Sequence, residues 1–200
     1  MEVRMDTKER ILLSALRLFA RDGYEAVSVS SIAAELSITK GALYRHYQSK
    51  RDIFDHTLAR MEQRDAERAG EFGVPEGTKD EMEEKYKNTA VAALIGYSKA
   101  QFDYWTEDEF AADFRRMLTI EQYRNAEMAA LYQQYLCAGP AGYVADIFAA
   151  LGYDAPMERA VRLYAPMYLL YGMYDAAKDK QEVKRLFESC MKERENEYST

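Results

Sequence analysis

The sequence predicts an all-α protein, and three observations predict it. No segment alternates polar and apolar residues as a half-buried strand does. Apolar residues recur instead at the three- and four-residue spacing of helices with one buried face. Helix-start signatures open these stretches in turn, at Asp6 with Glu9, Ser28, Thr39, Ser49 with Asp52, Thr78 to Glu81 and Thr106 to Glu109. A chain of 200 residues, 48% hydrophobic and 30% charged, has enough apolar mass for one or two cores and too much for a disordered protein.

The first helix is expected between Asp6 and the Asp22-Gly23 stop, with Ile11, Leu12, Ala15, Leu16 and Phe19 on its inner face. Ser28 caps a short second helix that buries Ile32, Ala33 and Leu36 and ends at Ser37-Ile38-Thr39. Thr39 then caps a third, Lys40 to His46, and Ser49 with Asp52 opens a fourth that turns Ile53, Phe54, Leu58 and Met61 inward. Gly70 to Gly77 holds three glycines and Pro75, the densest breaker cluster in the chain and a natural domain boundary. Beyond it, Gly139-Pro140, Gly152 to Pro156 and Asp179 to Glu182 punctuate further helices. Met157 to Tyr174 is apolar nearly all round, as a helix covered on two sides must be, and Pro166 within it is expected to kink the backbone near Arg162. Arg159 and Arg162 are expected to pair with acids of a neighbouring helix. The last helix carries Val183, Leu186, Phe187, Cys190 and Met191 on one stripe.

Charge is unevenly divided. Residues 1–68 hold twelve Lys/Arg against eleven Asp/Glu, whereas residues 69–200 hold fifteen against twenty-three, so the net charge of -7 belongs to the C-terminal part. Leu36 to Arg51 contains Lys40, Arg45, Lys50 and Arg51 and no acid, a patch able to displace counterions from phosphates.

Several classes find no support. The start, MEVRMDTKER, is charged where a secretory signal needs an apolar run, and no stretch approaches the roughly 18 apolar residues of a membrane span, so a cytoplasmic protein with no membrane partner is expected. Cys137 and Cys190 form no CxxC pair and are read as buried small apolar residues. Two histidines, no Gly-rich phosphate loop, no HExxH and no nucleophile elbow leave no catalytic residues, no metal site and no cofactor to assign.

Val27 to Tyr47 reads as a short apolar helix, a tight turn, and a helix whose leading residues are small, polar or basic. A helix entering a major groove about 12 Å wide needs such residues in front and an apolar side behind. Lys40, Gly41 and Ala42 meet the first condition and Leu43 the second. The pattern is that of a helix-turn-helix.

Thr39-Lys40-Gly41-Ala42-Leu43-Tyr44-Arg45-His46-Tyr47, followed by Lys50, resembles the N-terminal domain of the tetracycline-repressor (TetR) family over roughly residues 7–58. Ser37 stands where that family's turn usually has Gly, and Leu36 where it usually has Ala. The resemblance implies an N-terminal three-helix DNA-binding domain, residues 1–50, a connecting helix over 50–68, and a C-terminal helical domain, 69–200, for ligand binding and dimerisation. By the same resemblance Ser28, Ser30, Thr39, Lys40, Tyr44, His46 and Lys50 touch phosphates, and Gly41, Ala42 and Arg45 lie nearest the base edges. Arg45 on guanine O6 and N7 would supply about 1–3 kcal/mol of discrimination. Tyr47 is read as a core aromatic and His56 as an ordinary surface histidine.

Beyond residue 68 the likeness is only architectural. There Tyr97, Phe102, Trp105, Phe114, Tyr123, Tyr143, Phe148, Tyr164 and Tyr168 are candidates to line a site for a small apolar or aromatic effector, although each ring alone is equally at home in a helical core. The resulting expectation is a repressor that dimerises through its last two helices, about 156–176 and 180–197. It would bind an operator expected to be palindromic and be released by the effector. The alternative is a scaffold of the same kind governed by a protein partner or by no inducer.

Overall fold

The computed structural model describes residues 6–71 and 91–198, excluding the side chains of 69–71. The breaker cluster at 70–77 and the helix start at Thr78 therefore fall largely outside the described residues. Ten helices are described: α1 (Thr7–Asp22), α2 (Val29–Glu35), α3 (Lys40–Tyr44), α4 (Lys50–Glu71), α5 (Val91–Glu107), α6 (Glu109–Glu121), α7 (Ala126–Leu136), α8 (Ala138–Ala150), α9 (Pro156–Ala176) and α10 (Lys180–Tyr198). The described residues contain no strand, and no helix among them is long and apolar enough to cross a membrane. They contain no group of three or more His, Cys, Asp or Glu placed to hold a metal ion.

The chain divides into two compact units, and the division is not a simple cut. One unit joins residues 1–68 to 109–131, and the other joins 69–108 to 132–200. In the first, α1 packs against α2 and α6, and α2 against α3. Its core is built from Ile11, Leu12, Leu16 and Phe19 of α1, Ile32 of α2, Leu43 of α3, Ile53 and Phe54 of α4 and Phe114 of α6, none more than 2% exposed. That α6 belongs with the N-terminal helices had no local signal. Arg17 reaches Glu109 at 3.1 Å, and the Arg60 and Arg64 guanidinium groups lie 5.7 and 5.0 Å from the Phe110 ring.

In the second unit α9 packs on α8, α10 and α5, and α10 on α5. Phe102 of α5 sits at its centre, stacked on Phe187 at 4.1 Å and on Tyr171 at 5.6 Å, with Tyr174 edge-on at 6.3 Å. Lys184 of α10 is held by Asp103 at 2.9 Å and Glu107 at 2.8 Å.

Several local expectations are corrected. Asp6 precedes α1 but its side chain makes no cap hydrogen bond, and Glu9, the other half of the supposed capping box, is paired with Arg60 of α4. α3 is two residues shorter than expected, ending at Tyr44. The Thr106 hydroxyl does not cap α6 but donates back to Phe102 O within α5 at 2.7 Å, and α6 begins only at Glu109. Among the described residues Arg159 forms no ion pair with an acid; it donates to Asp154 O and covers the Tyr153 ring, while Arg162 is exposed. Both cysteines are free and half-buried rather than buried.

Candidate nucleic-acid interface

Hydrogen bonds local to each segment set the geometry from Ser28 to Tyr47. The Ser28 hydroxyl accepts from Ser31 N at 3.1 Å, and the Ser31 hydroxyl closes the box against the Ser28 backbone. α2 stops because Ser37 turns left-handed, at φ 55. Ser37 N then donates to Ala34 O at 3.0 Å and Ile38 N to Ala33 O at 2.9 Å, the paired bonds that satisfy the last carbonyls of a helix ending in this way. Two residues later Thr39 Oγ1 accepts from Ala42 N at 3.1 Å and starts α3.

α3 has two sides. Leu43 is fully buried, as is Ile32 on the neighbouring α2, so the two helices meet over apolar surface. The other side is open: Lys40, Gly41, Tyr44 and Arg45 are exposed, Tyr44 by 50%, and Ala42 and His46 are half-buried. Among the described residues Lys40, Tyr44 and Arg45 form no ion pair and their side chains no hydrogen bond. Thr39, whose oxygen only accepts in its cap, keeps its O–H to donate. Ser28 and Ser30 are exposed at the start of α2. Tyr47 is 1% exposed, a core aromatic whose hydroxyl donates to Lys8 O at 3.3 Å; burial pushes its phenol up to about 12.

The acid-free patch is smaller in space than in sequence. The Lys50 ammonium donates to Tyr24 O at 2.7 Å and Glu25 O at 3.3 Å and lies over the Tyr24 ring at 4.3 Å, so it ties the α1–α2 loop to the start of α4 instead of standing free. Arg51 is bidentate to Glu127 of α7 at 2.6 and 2.8 Å and also donates to Asp55 at 2.7 Å. Hydrogen bonding to Arg51 holds the Glu127 carboxyl below its usual range. Lys40 and Arg45 are the cations of the patch that remain available, beside His46. Apart from Asp55, four residues on, the partners of Lys50 and Arg51 lie 25 to 76 residues away, out of reach of any local pattern.

Gly23 closes α1 at φ 90 and ψ 148, a backbone that side-chain-bearing residues avoid, and a Cβ there would collide with the Glu121 carboxylate of α6. Glu121 is fully buried, neither carboxylate oxygen has a hydrogen bond among the described residues, and Arg124 lies 3.9 Å away. Sequence reading gave Glu121 no role.

The model of the family described as bacterial regulatory proteins, tetR family, matches residues 11–57, which run from the buried face of α1 into α4. The likeness to that family's model thus covers 47 of the 200 residues. Over 45 residues it is 47% identical to the uncharacterised HTH-type transcriptional regulator YerO of Bacillus subtilis (strain 168), spanning 22% of this chain and 16% of that one. Over 49 residues it is 41% identical to the HTH-type transcriptional regulator AcrR of Shigella flexneri, spanning 24% and 23%. A third relative, the biofilm operon icaADBC negative transcriptional regulator IcaR of Staphylococcus aureus (strain Newman), is 33% identical over 51 residues, 26% of this chain and 27% of its own. The match thus covers about a quarter or less of each relative's length.

Solved structures extend the likeness of fold along the chain. Mycobacterium smegmatis AmtR superposes with a TM-score of 0.62 at 17% identity, covering 96% of this chain and 87% of its own. NalD, the secondary repressor of the MexAB-OprM multidrug efflux pump in Pseudomonas aeruginosa, gives 0.54 at 20%, covering 93% and 94%. At these identities the likeness is one of fold.

Outside the helix-turn-helix, the aromatic candidates are divided between the two units. Phe114 and Tyr123 belong to the first unit, Phe114 fully buried in its core and Tyr123 88% exposed in the turn after α6. The other seven lie in the second unit. Phe102 and Phe148 are fully buried, Phe102 stacked on Phe187 and Phe148 edge-on to Tyr153, and Trp105, 5% exposed, packs on Tyr104 and Tyr135. Tyr97 and Tyr143 are half-buried, and Tyr97 accepts from Gln101. The Tyr164 hydroxyl donates to Leu136 O at 2.8 Å, and burial raises its phenol. Tyr168, 48% exposed, shares a hydrogen bond with Tyr132 at 2.7 Å.

Proposed function

We propose that this chain is a transcriptional regulator that binds DNA as a homodimer and reads the duplex with the open side of α3. The observation that carries the reading is the two-sidedness of that helix: Leu43 is buried behind it while Lys40, Tyr44 and Arg45 stand exposed in front with no charge partner among the described residues. Lys40, Tyr44, Thr39, Ser28, Ser30 and His46 are assigned to phosphates, and Arg45, Gly41 and Ala42 to base edges. Lys50 is left out of the contact set because two loop carbonyls already hold its ammonium.

The exposed apolar face of the C-terminal helices supports the homodimer. Met157, Val161, Leu169 and Met173 of α9 and Leu186 of α10 are each 43% exposed or more, so the all-round apolar character of α9 is only half covered by its own chain. Two copies joined there would offer two α3 helices to successive major grooves about 34 Å apart. Repression is the reading favoured by IcaR and NalD, both described as negative regulators or repressors. The effector is assigned to the second unit, near the partly exposed hydroxyl-bearing rings Tyr97, Tyr143, Tyr164 and Tyr168, which suit a small aromatic molecule. To move the operator from almost fully bound to almost fully free, the effector must favour the released state by about 5.5 kcal/mol.

The test is selection of duplexes from a random-sequence pool by the full chain, followed by fluorescence anisotropy on the enriched sequence. An inverted repeat with half-sites one helical turn apart is the expected result. A pool that emerges unenriched overturns the reading.

A further inference from the structure

α3 is a single short turn of five residues, too short to hold its own direction, so what anchors its two ends decides how its open side meets a groove. Its N-terminal end is tied to α2 through the Ser37 turn and the Thr39 cap. Its C-terminal end is tied elsewhere. Tyr47 donates to Lys8 O of α1 at 3.3 Å, and Gln48 N donates to Asp52 Oδ2 of α4 at 2.7 Å. His56, one turn further along α4, sets its ring edge-on to Tyr47 at 5.2 Å and 88°.

His56 is itself oriented. Its Nδ1 lies 2.9 Å from Asp52 O and 3.2 Å from Asp52 Oδ1, so Nδ1 carries the proton and donates. Nε2 is then left as an acceptor, and Lys8 Nζ stands 3.4 Å from it and 5.3 Å from the centre of the Tyr47 ring. The other charged groups around Tyr47, besides Lys8, are Asp6 just before α1, Glu9 of α1, and Asp52 and Arg60 of α4, with Glu9 and Arg60 paired to each other. Lys8, Tyr47, Asp52 and His56 thus form a closed clamp from α1 through the end of α3 to α4. Its polar members are part-exposed, His56 by 44% and Asp52 by 28%, so they contribute little to global stability. What they do fix is a direction.

We propose that Asp52 and His56 are positioning residues for DNA reading: without touching the duplex, they set the angle at which α3 presents Lys40, Tyr44 and Arg45. The inference rests on the DNA-binding reading above, and sequence reading had left His56 without a role. Cutting the clamp frees α3 to pivot about Leu43. Contacts that need one angle, those to base edges, are lost, while contacts to phosphates tolerate the change.

The test compares His56→Ala, His56→Gln and Asp52→Asn with wild type on two duplexes, the pool-enriched sequence and a shuffled version of it, over a range of salt concentrations. His56→Ala and Asp52→Asn are expected to lower affinity for the enriched duplex roughly tenfold, the size of one mismatched base pair. Affinity for the shuffled duplex should stay within about twofold, and the slope of log K against log salt should not change. His56→Gln, which keeps an acceptor near Nε2 for Lys8, should recover part of the loss. A slope lowered by about one unit would mean that the clamp touches phosphate directly, and it overturns the proposal. So does an equal loss on both duplexes, or no loss on either. A thermal midpoint measured on each variant separates misfolding from misplacement, and His56→Gln stands in should His56→Ala fail to fold. A wild-type chain that enriches no duplex overturns the DNA-binding reading and this inference with it; one that enriches a duplex its variants read equally well overturns the inference alone.

Discussion

The open side of α3 and the open face of α9 are both surfaces that this chain leaves uncovered, yet their chemistry points to opposite partners. On α3 the uncovered groups are Lys40, Tyr44 and Arg45, two cations and a phenol; on α9 they are Met157, Val161, Leu169 and Met173, four apolar side chains with Tyr168 beside them. Exposure alone marks both as unfinished. Cations without acid partners gain most from phosphate, with an attraction that salt weakens, whereas hydrocarbon gains from hydrocarbon and is nearly indifferent to salt. The helix proposed to read DNA and the helix proposed to pair the subunits should therefore be separable by experiment.

The largest effect is expected from the apolar face. Changing Val161 and Leu169 together to Glu leaves the core untouched, since both are more than half exposed, and should leave the fold intact. Light scattering should then report a monomer. Because a dimer engages its second half-site intramolecularly, affinity for the enriched duplex should fall on the order of a hundredfold or more. A variant that remains a dimer would move the subunit interface off α9.

Next in size are the cations of the reading domain. Lys40→Ala and Arg45→Ala should each weaken binding, Lys40→Ala on every sequence and Arg45→Ala chiefly on the enriched one, and Lys40→Ala should lower the salt slope by about one unit per protomer. Lys50→Ala should behave differently although the three residues share one acid-free stretch. With its ammonium on Tyr24 O and Glu25 O, its loss should lower stability by about 1 kcal/mol, read by chemical denaturation, and leave the slope unchanged. A slope lowered by Lys50→Ala would return that residue to the phosphate contacts.

Lys50 also shows where the sequence stops being legible. The caps at Ser28, Thr39 and Ser49 span three residues each, so spacing alone identified them, and with them α2, α3 and α4. What each charged side chain does was another matter. Lys50, Arg51 and Glu9 find partners 25 to 76 residues away, and the proximity of those partners is a product of the fold. The same holds for α6, which carries its own apolar face but no mark of which helices it joins. Aromatic content was the least informative signal. It drew Phe114, buried in the first unit, and Tyr123, 88% exposed, into one candidate site with rings of the second unit, because abundance carries no address.

The smallest effect concerns Ser37 and probes the reading domain from the backbone. Ser37 holds φ 55, where a residue with a Cβ pays about 1–2 kcal/mol relative to glycine. Replacing it by Gly removes that strain but adds freedom to the unfolded chain, a loss of about 0.5–1 kcal/mol. Strain is the larger of the two, so Ser37→Gly should stabilise the domain by roughly 0.5–1 kcal/mol and raise its thermal midpoint by a few degrees. The Ser37 hydroxyl is exposed and the turn bonds, Ser37 N to Ala34 O and Ile38 N to Ala33 O, use backbone atoms that glycine keeps. Affinity for the enriched duplex should therefore stay as it is. A drop in affinity without a drop in stability would mean that the serine side chain, and not only the turn it occupies, takes part in reading DNA.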